Sequence, residues 1–211
     1  MKKQICTAII ASAVSMPSMA MLDFDVYTGI DYRTTDNSQS YSGVDQGLKD
    51  TNNLSGYLAI EHFIPMLPNA KLKYSDLSTE TSTSSTTIKG SAANAILYYQ
   101  LFDNSLFDFD LGLAYTRLES DIDNMSENLG QAYAAAKLQI PGTGVHVFAE
   151  LISGSLSSDT ATDAELGLAY TFNPDSILNL AVRAGYRYQD AEFNDLEIEN
   201  KGLFVGLELH F

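Results

Sequence analysis

Proton-transfer chemistry in this chain would fall to three histidines, His62, His146 and His210. Each would need a carboxylate and a reacting group within hydrogen-bond reach. Oxygen ligands suited to Ca²⁺ or Mg²⁺ gather in two acidic stretches: Asp121, Asp123 and Glu127, then Asp190, Glu192, Asp195, Glu197 and Glu199. The first departs from the EF-hand pattern, because Met125 takes the third ligand position and no glycine follows it. A solvated acidic surface is the expectation, with no resident metal and no cofactor. A third group of charges is dispersed along the chain: Glu61, Lys137, Glu150, Glu165, Arg183, Arg187 and Glu208. What these can do depends on which way the backbone points them.

The elements that would position them are legible as alternation. In residues 202–211, Leu203, Val205, Leu207, Leu209 and Phe211 alternate with small or polar residues up to the final position. A period of two is the signature of a strand with one apolar face. Nine further segments alternate alike: 22–33, 54–63, 71–77, 87–101, 107–118, 129–140, 145–153, 163–172 and 177–188. Their apolar faces carry Leu58 and Ile60, Leu72 and Tyr74, Leu111 and Leu113, Leu166 and Leu168. The opposite faces carry Asp31 and Arg33, Lys71 and Lys73, and the dispersed charges named above. Strands that cross an outer membrane need about 9–11 residues, apolar towards lipid and polar or small inside. The expected fold is therefore all-β, a transmembrane antiparallel up-and-down barrel of about ten strands. Eight strands, with two segments folded back as loop hairpins, is the structural alternative.

Connections alternate in length. Short ones, at 64–70, 102–106, 141–144 and 173–176, are rich in Pro, Asn, Asp and Gly. Longer polar ones fall at 34–53, 78–86, 119–128, 154–162 and 189–197. Short periplasmic turns and long outer loops are expected of such barrels, with both termini in the periplasm. The stretch 78–87, almost entirely Ser and Thr, reads as an exposed flexible loop. On this layout the outward Phe24, Tyr99, Phe107, Phe109, Phe172 and Phe211 fall near the periplasmic rim, and Tyr32, Tyr115, Tyr186 and Tyr188 near the outer one. Those are the two aromatic girdles of a membrane barrel.

The other end of the chain agrees. Lys2 and Lys3 precede the apolar run 5–14, and Ser18-Met19-Ala20 offers the small residues that a signal peptidase reads. The expected organisation is a leader over 1–20 and a barrel over 21–211, exported to a Gram-negative outer membrane. Cys6 leaves with the leader, so no disulfide framework remains. The net charge moves from 12 − 27 = −15 to 10 − 27 = −17, which excludes a nucleic-acid partner.

The stretch Glu61-His62-Phe63-Ile64-Pro65-Met66-Leu67-Pro68-Asn69, followed by Lys73-Tyr74-Ser75-Asp76-Leu77, resembles the strand–turn–strand of a family of small Gram-negative outer-membrane β-barrel proteins of unassigned function. The tail Val205–Phe211 resembles that family's C-terminal strand. The resemblance implies a barrel in the outer membrane, with Gly206, Leu209 and Phe211 as an insertion signal. Expected partners are outer-membrane lipid, lipopolysaccharide and the barrel-assembly machinery. A monomer is expected.

The layout also resembles ten-stranded outer-membrane proteases, which use acidic residues and a histidine at the outer mouth. Here all three histidines map to periplasmic strand ends, so that pair cannot be assembled there. A lipid hydrolase would need Ser beside His on the lipid face, and His62 has none placed next to it. No catalysis is expected. For the inward charges two readings stand: a plug of salt bridges, or a narrow or gated ion path. The cost of unpaired charge in a filled interior favours the plug. The expected role is structural or surface-interacting.

Overall fold

The computed structural model describes residues 24–211 except 42–43, 46, 65, 82–86, 122–124, 155–159, 175 and 194–195. The expected leader, 1–20, lies outside the described residues. In chain order the strands begin with β1 (Phe24–Tyr41), β2 (Val44–Asp45), β3 (Leu48–Lys49), β4 (Thr51–His62) and β5 (Asn69–Asp76). They continue with β6 (Thr79–Thr81), β7 (Thr87–Ile88), β8 (Gly90–Asp103), β9 (Phe107–Ser120) and β10 (Met125–Gln139). The last four are β11 (Val145–Gly154), β12 (Thr160–Thr171), β13 (Asn179–Phe193) and β14 (Leu196–His210).

Ten of these form the wall: β1, β4, β5 and β8 to β14, each antiparallel to its neighbours. The ring closes where β14 returns to β1, with Tyr32 opposite Val205 and Tyr27 opposite His210. Beyond the last ladder pair, Val26 and Phe211 exchange backbone hydrogen bonds of 2.8 and 3.0 Å. Closure leaves no backbone edge facing hydrocarbon, which is the condition for spanning a bilayer with strands. The wall has ten strands, and the eight-strand alternative is overturned.

Alternation sets the two faces as the sequence implied. Outward Leu113 is 72% exposed and inward Arg187 is 1% exposed, although both sit mid-wall. The connections on the terminus side are short. In the turn after β8, Asn104 Oδ1 accepts the N–H groups of Leu106 and Phe107 at 3.0 Å each. In the turn after β4, Asn69 Oδ1 accepts the His62 N–H at 3.0 Å, and Met66 adopts a left-handed φ of 72°.

The outer connections differ from expectation. Residues 34–41, 51–53, 119–120, 125–128, 160–162, 189–193 and 196–197 belong to wall strands, so most of what reads as long polar loop is strand. Above the membrane the outward face of a strand meets water instead of lipid, so the apolar outward half of the alternation disappears while the ladder continues. Asp36 to Tyr41 still pair with Leu196 to Lys201. The Ser/Thr-rich stretch is likewise not simply a free loop. Thr79–Thr81 pairs with β3 and β7 in a small three-stranded sheet, and Thr79 is buried.

Candidate functional site

The site is the barrel interior. Alternation aims one side chain in two inward, and closure brings strands far apart in sequence within reach of one another. Lys73 reaches across from β5 and places Nζ 2.7 Å from Glu150 Oε1 on β11, 2.7 Å from Glu165 Oε1 and 3.5 Å from Asp163 Oδ2 on β12. Arg187 on β13 grips Asp163 through two nitrogens, Nε to Oδ1 at 2.8 Å and an NH2 to Oδ2 at 2.5 Å, and donates to Ser75 Oγ at 2.8 Å. Arg183, two inward steps lower, lies 2.9 Å from Glu165 Oε2, 3.2 Å from Asp31 Oδ1 and 3.7 Å from Glu208 Oε2. Its guanidinium also donates to the Tyr57 hydroxyl at 2.6 Å and stacks over Phe148 at 4.5 Å. Tyr57 in turn donates to Glu208, Lys71 pairs with Glu150, and Arg33 donates to Gln189.

Arg33, Lys71, Lys73, Arg183 and Arg187 thus stand against Asp31, Glu150, Asp163, Glu165 and Glu208, five charges of each sign. Burying ions is expensive, and mutual attraction repays it only where geometry and extra hydrogen bonds are good. Balanced charge, bidentate contacts and hydroxyl partners supply much of that compensation, although Arg33 Nε and one terminal nitrogen of Arg187 have no hydrogen-bond partner among the described residues. On the β8–β11 side the same level is filled by an apolar cluster of Ile96, Tyr98, Ala114, Tyr133 and Ile152. Ion network and apolar cluster together occlude the middle of the lumen.

Gly206 belongs to this construction. Its inward face lies against Asp31, and a Cβ there would overlap the Asp31 carboxylate and approach the Ile30 carbonyl to 2.6 Å. Glycine at this position lets the carboxylate stand between β14 and Arg183.

Of the seven inward charges picked out from sequence, Glu150, Glu165, Arg183, Arg187 and Glu208 join the network. Glu61 and Lys137 do not. Glu61 accepts from the Tyr98 hydroxyl at 2.7 Å and Gln100 Nε2 at 3.0 Å, and Lys137 lies 3.7 Å from Asp108. Both line a vestibule of about 1640 Å³ on the terminus side, floored by Glu150, Glu165 and Arg183. The interior is therefore filled at mid-wall but wide below it, which corrects the expectation of a lumen filled throughout. The residues left out of the expected network are Lys73, Lys71, Asp31, Arg33, Asp163 and Tyr57. Alternation had aimed the first four inward. Asp163 was read only as the edge of a segment, and a tyrosine's pairing cannot be seen in a charge pattern.

The histidines sit at the terminus side. His62 faces outward, with Nε2 3.2 Å from the Pro68 carbonyl oxygen and its ring edge-on to Phe24. His146 is buried in the lumen beside Phe148. His210 stacks on Tyr27 at 4.2 Å, with Asp25 Oδ1 2.9 Å from Nε2 and the Asn179 amide 3.3 Å from Nδ1. That is a histidine–carboxylate pair, but its other neighbours are an amide and a phenol ring, not a nucleophile in position. At the opposite end, beyond the outer girdle, Lys201 donates to Glu199 at 2.6 Å and holds its carboxyl below the usual range, assisted by Tyr188.

The girdle residues stand at the two ends. Phe107 and Phe109 stack beside Phe102 next to a short turn, Phe172 meets Tyr170 edge-on, and Tyr99 donates to the Met66 carbonyl at 3.0 Å. At the outer end Tyr32, Tyr115 and Tyr186 are exposed on the wall, and Tyr188 is partly buried. Leu209 lies in the seam strand opposite Thr28, and Phe211 follows its end, bonded to Val26 through the backbone. Asp123 and Asp195 lie outside the described residues, and among those described no group of three or more potential ligands could hold a metal ion.

Comparison with known proteins follows the architecture. The family model of the outer membrane protein beta-barrel domain matches residues 6–211. Among solved structures, Neisserial surface protein A is similar at 15% identity and a TM-score of 0.38, covering 90% of this chain and 97% of that one. Ail, the attachment invasion locus protein of Yersinia pestis, is similar at 12% identity and 0.41, covering 90% and 100%. The outer membrane protease OmpT from Escherichia coli is similar at 8% and 0.48, covering 89% and 96%. No curated protein matches the sequence. The closed antiparallel wall is the architecture that this description names, and the chain belongs to the outer membrane protein β-barrel domain family.

Proposed function

We propose that the protein is a monomeric, non-catalytic and non-conducting outer-membrane barrel whose role is structural and surface-interacting. The observation that carries this reading is the neutral network of Lys73, Arg183 and Arg187 with Glu150, Asp163 and Glu165, which separates the vestibule from the outer end of the lumen. Opening it would strand several buried charges at once, at a cost of several kcal/mol. The projecting ends of β1, β13 and β14 give the outer surface a paired framework that meets lipopolysaccharide. Export through the 1–20 leader, and recognition of Gly206, Leu209 and Phe211 by the assembly machinery, belong to the same reading.

Planar-bilayer recording of the refolded barrel tests it. The expected trace has no steady open conductance, while Lys73→Ala combined with Arg187→Ala produces a leak. Steady conductance from the unaltered protein would favour a narrow ion path, for which the wide vestibule already provides one half.

A further inference from the structure

On its terminus side the lipid-facing wall has a notch. β5 is eight residues long, short of the roughly 9–11 residues of a membrane-crossing strand. Its first residue, Asn69, stands opposite Tyr98, whereas β8 runs on to Asp103. Residues 99–103 therefore have no partner strand on the β5 side among the described residues. β4 likewise continues to His62, past its last pair with β5 at Ile60. The outward face of β5 offers lipid only Ala70, Leu72 and Tyr74 as apolar groups.

The turn joining β4 to β5 covers this notch from the outside. Two outward side chains hold it there: the Tyr99 hydroxyl donates to the Met66 carbonyl at 3.0 Å, and His62 Nε2 lies 3.2 Å from the Pro68 carbonyl oxygen. Girdle tyrosines sit at the level of the lipid headgroups, so the bond from Tyr99 sets the turn's backbone at that level, on the flank of the wall. Residues 63–68 carry no charged side chain. Phe63 borders the vestibule, but Ile64 and Leu67 do not, and they are 43% and 52% exposed. The other terminus-side turns differ. The one after β10 is Pro141-Gly142-Thr143-Gly144, and Ile177 in the one after β12 borders the vestibule.

We propose that the β4–β5 turn is a lipid-binding wedge. Ile64 and Leu67 insert among the upper acyl chains of phospholipids in the periplasmic leaflet and make up the apolar height that β5 lacks. Continuity selects this partner: Leu58 and Ile60 on β4 and Leu97 on β8 border the turn, are exposed on the wall's outer face, and meet the same lipid. The wedge goes beyond a general structural role by giving one flank of the barrel a contact with one leaflet. It rests on placement in the outer membrane and not on the closed lumen, so a conducting barrel would leave it standing.

The chain has no tryptophan, so a single introduced indole reports its own surroundings. Leu67→Trp, Leu113→Trp and Ile177→Trp are each refolded into phosphatidylcholine vesicles whose acyl chains carry bromine near the headgroup or near the chain end. Leu67→Trp should lose most of its emission to bromine near the headgroup, less to bromine near the chain end, and little to aqueous acrylamide. Leu113→Trp, at mid-wall, should show the reverse depth preference. Ile177→Trp should respond to acrylamide and keep its emission in both brominated lipids. Heat-modifiable gel migration verifies folding, and Ile64→Trp replaces Leu67→Trp if that variant does not fold. Emission from Leu67→Trp that survives both brominated lipids and falls with acrylamide, as that of Ile177→Trp does, overturns the wedge and leaves the turn facing the periplasm, free for a protein partner.

Discussion

Replacing Lys73 by Met keeps most of the side chain's volume and removes one positive charge from the centre of the lumen. The ammonium makes two contacts of 2.7 Å, to Glu150 and Glu165, and a third of 3.5 Å to Asp163. Two charge-assisted hydrogen bonds amount to roughly 3–6 kcal/mol before compensation. Part of this is returned, because the ammonium no longer has to be desolvated and because Lys71, Arg183 and Arg187 still face the same carboxylates. The net expectation is about 3–5 kcal/mol, the range for breaking a buried pair from one side. Urea unfolding of the barrel refolded into lipid vesicles reads it. With a slope of roughly 1–3 kcal/mol per molar, the midpoint should fall by at least about 1 M. Glu150→Gln added to Lys73→Met should cost less than the two changes separately, since both act on one network. Lys201→Met, at an exposed pair, is the control and should leave the midpoint in place. An unchanged midpoint in Lys73→Met would refute the claim that the network holds the lumen shut.

Gly206→Ala should cost about 1–3 kcal/mol by pushing on Asp31 and the Ile30 carbonyl. The loss should appear on refolding into pure lipid vesicles, whereas a glycine serving only as an insertion signal would show none there. Leu113→Arg, mid-strand on the lipid face, should destabilise by about 2–4 kcal/mol in the same unfolding assay, and a near-zero change would refute that placement. Met66→Gly should raise the unfolding midpoint by the equivalent of roughly 0.5–1 kcal/mol, as relief of a left-handed backbone outweighs the added chain entropy. A lower midpoint would show that the methionine makes a contact worth more than its strain.

The lipid-facing half of the fold was open to reading because lipid imposes a simple rule. Leu58, Leu113 and Leu166 must point outward, and a period of two then fixes the strand and its other face. The lumen obeys no such rule. Lys73 could be placed inside from its own strand, but its partners lie 77 to 92 residues away, and the closure that brings them together is a property of the whole ring. Asp163 was missed because it begins a segment, where alternation has only one neighbour to judge by. The outer ends of β1 and β14 were missed for the opposite reason: their pairing persists after the environment that makes strands visible has ended. Leu118 ends a segment, next to Glu119, and Ile198 sits beside Glu199 in a stretch that reads as solvated, so an apolar lining inside the outer rim did not stand out in the pattern.

The seam between β1 and β14 has a further consequence, for the order of events in biosynthesis. Until Phe211 meets Val26, two strand edges present bare amide and carbonyl groups, and neither can be tolerated in hydrocarbon. No intermediate short of the complete ring is fit to be released into the bilayer. The polypeptide must be shielded until β14 has emerged, and losing part of that strand would forfeit the whole assembly, not a proportionate fraction.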